Sequence, residues 1–246
     1  MSKPLLSLVL PFYNEEENVS RVIGDLEAAF ENEGLKDYEI IGVNNGSWDR
    51  TGELLKELHE KNPRVKLITV PVNQGLGYGV LQGFREAQGE YVGFNCGDGQ
   101  IGSEDVVKVW RKLIEEGLDL CKVRRVVRED GLKRRAISFC FNWVCRLLYG
   151  VRSSDVNGIP KILNREKLEA LNLFSRDWFI DCEIMIKATQ QRLKVGEVDV
   201  VFRKRTGGGS HVNFKAIREF VKNLLRYRLQ AWPEVEPKTC AAPLPQ

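Results

Sequence analysis

Residues 91–100, Tyr-Val-Gly-Phe-Asn-Cys-Gly-Asp-Gly-Gln, carry a lone carboxylate out of an apolar run. Tyr91, Val92 and Phe94 read as a buried strand that stops at Asn95. Asp98 then stands between Gly97 and Gly99, with the amide of Gln100 behind it. An acid at the carboxyl edge of an α/β sheet lies where ligands bind. It can hold a cation that bridges to phosphate oxygens, and the glycines admit a close backbone approach. The same residues also make a tight turn with Asp as its former, so the segment alone leaves both readings open.

Other segments offer polar groups at strand ends. Residues 8–18 place Pro11, Tyr13 and Asn14 there, a rigid kink, a flat ring and an amide suited to a base or ribose. Glu15, Glu16 and Glu17 follow, and acids in a first helical turn need no function. Residues 43–51 offer Asn44, Asn45 and Ser47. Asn supplies a donor and an acceptor and can read a nucleobase edge, although a turn before an Asp49-capped helix uses the same residues. Gly75, Gly77, Gly79 and Gly83 superficially suggest a dinucleotide fingerprint. They lie outside the first βαβ unit and lack the terminal acid that such a fingerprint needs. A glycine-rich helix entry still suits a nearby diphosphate. Lys122, Arg124, Arg125, Arg128, Lys133, Arg134 and Arg135 form a basic cluster, read either as a solvated loop or as a site for an anionic substrate or anionic lipid headgroups. An aromatic-rich helix follows (Phe139, Phe141, Trp143, Tyr149), suited to core packing or to an amphiphile with a charged head. Arg205 to His211 read as a glycine loop with a cation and a hydroxyl, able to fold over phosphates or to form a surface turn.

Alternating elements must position these groups. Strands are predicted over 5–10, 38–43, 65–70, 91–95 and 118–123, with helices over 15–31, 49–61, 76–88 and 103–116. This alternation predicts an α/β fold, a Rossmann-like, mainly parallel sheet with helices on both faces. Beyond it, helices are expected over 131–149 and 179–191, a short strand after Pro160 and another over 195–202. The expected organisation is a domain over 1–213, a basic amphipathic helix over 214–232 that could lie on a membrane, and a disordered tail over 233–246.

The chain has 246 residues, 43% hydrophobic and 29% charged, with a net charge of +3. That is one large domain or two small ones, and too little charge to argue for nucleic-acid binding. The six cysteines form no C-x-x-C pair and only two histidines are present, which disfavours a zinc site. Most cysteines read as small buried hydrophobes in a reducing compartment. No run reaches membrane-spanning length and the first apolar run is too short for a signal peptide. The expectation is a cytoplasmic protein with at most peripheral contact at the cytoplasmic face of a membrane. No feature sets an oligomeric state.

Read in order over residues 5–225, the segments resemble family 2 glycosyltransferases of the GT-A fold, nearest the dolichyl- and polyprenyl-phosphate sugar synthases. Pro-Phe-Tyr-Asn-Glu resembles P-x-Y-N-E, which implies Pro11, Tyr13 and Glu15 at the nucleotide. Val-Asn-Asn-Gly-Ser-Trp-Asp resembles V-D-D-G-S-x-D, which implies Asn44 and Asn45 at the base or ribose. Cys-Gly-Asp-Gly-Gln resembles D-x-D-x-Q, which implies Asp98 and Gln100 as metal ligands with Gly97 at the nucleotide; Gly75, at the glycine-rich helix entry, is also expected to line the nucleotide. Residues 155–161 resemble an acceptor-side loop, Trp178 to Glu183 the acidic F-x-D-x-E segment, and Arg205 to Ser210 the late R-x-x-G-x-S loop. The resemblance implies Arg125, Arg134, Ser138 and Ser210 at an acceptor phosphate, and Asp98, Asp181 and Arg205 in catalysis.

Three departures matter. Asn44 and Asn45 replace paired aspartates, and Cys96 replaces the first acid of the metal motif. A thiol is mostly neutral at pH 7 and a poor partner for hard magnesium. The expectation is Mg2+ or Mn2+, weakly held and arriving with the nucleotide, because one or two carboxylates plus substrate phosphates suffice. The resemblance implies inverting transfer of a sugar from a nucleotide sugar to a polyprenyl-phosphate acceptor. A phosphate nucleophile needs no general base, whereas a hydroxyl needs one, with Asp181 or Asp155 as candidate. The alternatives are sugar-to-sugar transfer in surface polysaccharide or lipopolysaccharide assembly, and a degenerate nucleotide-sugar binding module.

Overall fold

A computed structural model describes residues 3–128, 132–202, 222–224 and 227. The chain divides into two compact units, Met1–Gly209 and Ser210–Gln246, and the fold below is that of the first. The helix expected over 214–232 and the tail beyond it fall almost wholly outside the described residues. No helix among the described residues is long and apolar enough to cross a membrane.

Seven strands form one sheet: β1 (Leu6–Phe12), β2 (Tyr38–Asn45), β3 (Val65–Val70), β4 (Tyr91–Phe94), β5 (Leu120–Arg128), β6 (Lys161–Asn164) and β7 (Val195–Phe202), in the order β3-β2-β1-β4-β6-β5-β7. All pairings are parallel except those of β6, which runs against both β4 and β5. The helices are α1 (Val19–Asn32), α2 (Thr51–Lys61), α3 (Leu76–Glu86), α4 (Ser103–Glu115), α5 (Leu132–Tyr149), α6 (Arg165–Ala170) and α7 (Ile180–Gln190). Because strand side chains alternate between faces, Leu6, Leu8, Leu10 and Phe12 of β1 join one core with Val22, Ile23, Leu26 and Phe30 of α1 and Val106, Val109 and Trp110 of α4. Val9 lies on the other face, beneath α3, where a Cβ added at Gly83 would stand 2.2 Å from its Cγ1.

The expected alternation is present, with four differences. First, α1 begins at Val19 rather than at residue 15. The acids at 15–17 belong to a turn whose N–H groups are taken by a neighbouring loop. Second, Asp49 accepts from the Thr51 N–H at 3.0 Å, but the residue preceding α2 is Arg50. Third, β5 continues to Arg128, so Arg124 and Arg125 are strand residues and not parts of a basic loop. Fourth, the short helix α6 was not anticipated; Asn164 caps it by accepting from Glu166 and Lys167 N–H groups. Six residues are too few to display a helical period.

The glycine series at the entry of α3 is a packing device. A Cβ at Gly75 would lie 2.5 Å from the Arg176 carbonyl, one at Gly77 2.3 Å from the Ser175 carbonyl, and one at Gly79 3.1 Å from the Asn45 side chain. Gly75 also has a φ of +103°. The Tyr78 N–H donates to the Arg176 carbonyl at 2.8 Å. The absent side chains let the start of α3 press against the loop that precedes α7.

Gly77→Ala should therefore lower stability by about 1–3 kcal/mol, since backbone blocks the new methyl. Gly24→Ala, in α1 with nothing within 4 Å of the added Cβ, should raise it by about 0.5–1 kcal/mol. Urea denaturation of both variants checks the pair; equal effects would contradict the packing account.

Candidate active site

The carboxyl ends of β1, β2 and β4 bear the expected nucleotide and metal residues. Two loops there are laced together. The Asn14 N–H donates to Ser47 Oγ at 3.1 Å, the Trp48 N–H to Asn14 Oδ1 at 3.0 Å, the Glu15 N–H to Thr51 Oγ1 at 2.9 Å, and the Glu16 N–H to Asp49 Oδ2 at 3.2 Å. Asn14 adopts a φ of +53°, a left-handed conformation that asparagine tolerates. The lacing fixes the strand end that presents Pro11 and Tyr13.

Asn44 and Asn45 end β2 and, by strand alternation, face opposite sides of the sheet. Asn44 Oδ1 accepts the Ser47 N–H at 3.1 Å, and its amide nitrogen lies against Gly52 of α2. Asn45 lies against Gly79 of α3 and donates to the Gly75 carbonyl at 3.1 Å. An aspartate could not donate that bond. Asn45 Oδ1 and Asn95 Oδ1 are buried and have no partner among the described residues.

After β4, Gly97 packs so closely that a Cβ would stand 2.3 Å from the Phe12 ring. Asp98 Oδ1 accepts the Gln100 N–H at 3.1 Å, and Gly99 has a φ of +67°. Cys96 sits between the nucleotide side and the acidic segment. Burial pushes its thiol well above the ordinary range. Asp98 and Asp181 push it further, and Arg125 and Lys161 oppose them. These four charged groups, drawn from β4's end, α7, β5 and β6, share one electrostatic neighbourhood. The thiol stays protonated and is no ligand for a hard cation. Among the described residues, no group of three His, Cys, Asp or Glu is placed to hold a metal alone. Asp98 and Gln100 fit a cation only as part of a shell that substrate oxygens complete.

On the other side lies a buried charge array. The strand registers align Ile41, Val9, Phe94, Lys161, Lys122 and Glu197 in one row across the sheet. Lys161 and Lys122 are both 0% exposed. The Lys161 ammonium donates to Asp181 Oδ1 and to the Gly158 carbonyl, the latter at 2.8 Å, and lies 5.8 Å from the Phe94 ring centroid. Burial raises the Asp181 pKa even though Lys161 pulls it down. The Lys122 ammonium donates to the Val123 and Asp155 carbonyls at 2.8 and 2.7 Å and pairs with Glu197 at 3.2 Å. Burial lowers its pKa to about 8 against the pull of Glu197.

Arg125 lies where the β5–β7 register slips, between Arg125 and Val127. Bulges of this kind re-aim a side chain. Its guanidinium grips Asp155 with two bonds of 2.7 Å, and its N–H donates to the same carboxylate at 2.9 Å. Burial alone would raise the Asp155 pKa, but the bonds and charge of Arg125, with Lys122, hold it at about 2. Arg124 pairs with Asp199 across β5–β7, with Nη2 2.7 Å from Oδ2. Three members of the sequence's basic cluster thus have carboxylate partners within the fold. Glu183 of the acidic segment is structural: it accepts from the Phe174 and Ser175 N–H groups and pairs with Lys187 at 2.6 Å.

The structure brings Asp181 to Lys161, the register partner of Phe94, and so to the strand that leads into Cys96 and Asp98. Ser138 lies on α5, partly buried. Arg134 lies on the same helix, with its side chain outside the described part, and Arg205 and Ser210 lie outside the described residues. The sequence left Lys122 in the basic cluster and Lys161 in a segment resembling an acceptor-side loop, and neither reads there as a buried charge. The signal was a lysine within Leu-Cys-Lys-Val and another heading Lys-Ile-Leu, both at positions where the strand pattern demands burial.

The Asp155 shift predicts an acid limb in stability. A carboxyl at about 2, against an ordinary 3.8, contributes stability fully present above about pH 4. That share, about 2 kcal/mol, is lost as pH falls through 2. Asp155→Asn should destabilise the protein at pH 7 by at least that amount and flatten this part of the curve. Denaturant unfolding between pH 7 and 2 checks it; an unchanged acid limb would contradict the assignment.

Comparison with known proteins agrees with this geometry. Residues 7–173 match the family model described as Glycosyl transferase family 2. A dolichol-phosphate mannosyltransferase of Pyrococcus furiosus is 32% identical over 235 residues, covering 92% of this chain and 64% of that protein. An undecaprenyl-phosphate 4-deoxy-4-formamido-L-arabinose transferase of Photorhabdus laumondii is 28% identical over 223 residues, with coverages of 89% and 66%. The chain thus spans just under two thirds of the length of these relatives. The crystal structure of glucosyl-3-phosphoglycerate synthase from Mycobacterium tuberculosis, in complex with Mn2+, uridine diphosphate and glucosyl-3-phosphoglycerate, superposes with a TM-score of 0.71 at 21% identity, covering 95% of this chain and 82% of that one. That likeness is one of fold. The sheet order, the convergence at its carboxyl edge and the match over more than half its length show that the chain belongs to glycosyl transferase family 2, with the GT-A fold.

Proposed function

We propose that the chain transfers one sugar from a nucleotide sugar to a polyprenyl-phosphate acceptor, with inversion at the anomeric carbon. The observation that carries this reading is the Lys161–Asp181 pair at the register partner of Phe94, on the strand that leads to Asp98, with Arg125 gripping Asp155 from the neighbouring strand. Asp98, read as the cation-holding carboxylate, would then stand beside a cationic flank at one sheet edge. The names of the two relatives, both polyprenyl-phosphate transferases, support the acceptor class.

The nucleotide would lie along Pro11, Tyr13, Glu15, Asn44, Asn45, Gly75 and Gly97. Two unmatched acceptors at this edge, Asn45 Oδ1 and Asn95 Oδ1, are suited to ligand N–H groups. Mg2+ or Mn2+, held by Asp98, Gln100 and the donor diphosphate, would neutralise charge on the leaving group; Mn2+ accompanies the nucleotide in the structural neighbour. Arg205 would add a second cation there. The acceptor phosphate would meet Arg125, Arg134, Ser138 and Ser210. An ionised phosphate is already a nucleophile, which leaves Asp181 to order the site through Lys161. The lipid chain has a candidate surface on α5, where Phe139, Trp143 and Leu147 repeat every four residues and stand 72%, 58% and 68% exposed. Such a stripe suits peripheral contact with a membrane.

A second reading follows from Asp181, whose raised pKa suits a general base for a sugar hydroxyl. One experiment separates the two. The purified chain is offered UDP-, GDP- and dTDP-sugars with undecaprenyl or dolichyl phosphate in micelles, with and without Mn2+. Labelled sugar should pass to the lipid. Asp98→Asn should reduce transfer by about 100-fold or more, and Asp181→Asn by less than about ten-fold, because no proton must be removed. A loss of about 1000-fold or more in Asp181→Asn, with transfer to a sugar hydroxyl in the wild type, would favour the second reading. No transfer or hydrolysis with any donor would overturn both.

A further inference from the structure

The turn that bears Asp98 is braced from behind by a residue outside the motifs already described. Arg21, in the first turn of α1, lies against Gly99: a Cβ added there would stand 2.3 Å from Arg21 Nη2 and 3.1 Å from Cζ. Gly99 is required by its φ of +67°, and the bare backbone there is what lets the guanidinium of Arg21 lie on the turn. The same Nη2 donates to Asn18 Oδ1 at 2.7 Å, and Asn18 Nδ2 donates to Glu15 Oε2 at 2.6 Å. Asn18 itself is buried, and both its bonds are partly shielded from water. Glu15 ends the Pro-Phe-Tyr-Asn-Glu segment, and its N–H is fixed to Thr51 Oγ1. A continuous chain thus runs from the nucleotide-side loop, through Asn18 and Arg21, to the underside of the Asp98–Gly99–Gln100 turn.

We infer that Arg21 is a positioning residue for the cation-holding turn, and that the Glu15–Asn18–Arg21 chain couples nucleotide occupancy of the first loop to the aim of Asp98. The inference rests on the reading that these two loops hold the nucleotide and the cation. With only one strong carboxylate available, a small change in the direction of Asp98 changes most of the protein's share of the cation's shell. A nucleotide that settles the Glu15 loop would settle Arg21, and Arg21 would hold Gly99. The cation would then bind well only after the nucleotide, a positive coupling between two sites. Arg21 also lies 3.8 Å from Asp25, an exposed pair that contributes little and leaves the guanidinium on the turn.

The test uses the full chain, with Mn2+ and whichever of UDP, GDP or dTDP raises its melting temperature most. Calorimetry measures nucleotide affinity without Mn2+, and electron paramagnetic resonance measures Mn2+ affinity with and without nucleotide. Arg21→Ala should weaken Mn2+ binding to the nucleotide complex by about ten-fold. Nucleotide affinity without Mn2+ should change less than about two-fold, since the residue acts through the turn. Asn18→Ala should act in the same direction, and the double variant should be little worse than either single one, as for links of one chain. The half-exposed Arg21 keeps the test independent of folding should Asn18→Ala be unstable. Equal losses of nucleotide affinity with and without Mn2+ would make Arg21 a direct nucleotide contact and overturn the proposal. Unchanged Mn2+ affinity in Arg21→Ala, or additive losses in the double variant, would also overturn it. A wild type that binds nucleotide without any response to Mn2+ would overturn the underlying site reading, and the coupling with it.

Discussion

Two ammonium groups with no exposure to water stand side by side in the sheet, and much of the site follows from the need to neutralise them. Lys161 of β6 and Lys122 of β5 are register partners. Each buried charge costs several kcal/mol unless it is paired and hydrogen-bonded, and neighbouring like charges add to that cost. The fold answers with Asp181 from α7, Glu197 from β7 and a set of carbonyls from the 155–158 loop. Breaking any one of these leaves an unmatched charge, so the loop, the helix and three strands can adopt few other arrangements.

That constraint has a chemical result. Asp181 is held by Lys161, and its charge is felt at Cys96. Arg125, re-aimed by the bulge in β5, clamps the Asp155 loop on the same flank. A second aspartate at position 96 would crowd a third carboxylate into this neighbourhood. The protonated thiol avoids that repulsion.

The parallel half of the fold was legible because its strands and helices have the lengths and periods that burial imposes. The strand before Asp98 could be read from its apolar run and abrupt polar stop. What escaped was decided by partners distant in the chain. Lys122, Arg124 and Arg125 looked like one basic cluster because Glu197, Asp199 and Asp155 lie 30 to 75 residues away. Asn44 and Asn45 looked like one polar pair, but the strand continues through them and turns them to opposite faces. The glycines at the start of and within α3 superficially suggested a dinucleotide fingerprint; what they make room for within the chain is residues 175–177 and the side chains of Asn45 and Val9. Lys161 carried a faint signal, a lysine at the head of an apolar strand, that only the position of Asp181 explains.

The most direct test of this account is a double-mutant cycle on the Lys161–Asp181 pair, read by denaturant unfolding at pH 7. Lys161→Met and Asp181→Leu should each destabilise the protein by about 3–5 kcal/mol, because each strands a buried charge. The combined variant should recover most of that loss, giving a coupling of at least about 2 kcal/mol. Additive losses, or single variants as stable as the parent, would show that the pair does not hold the site together.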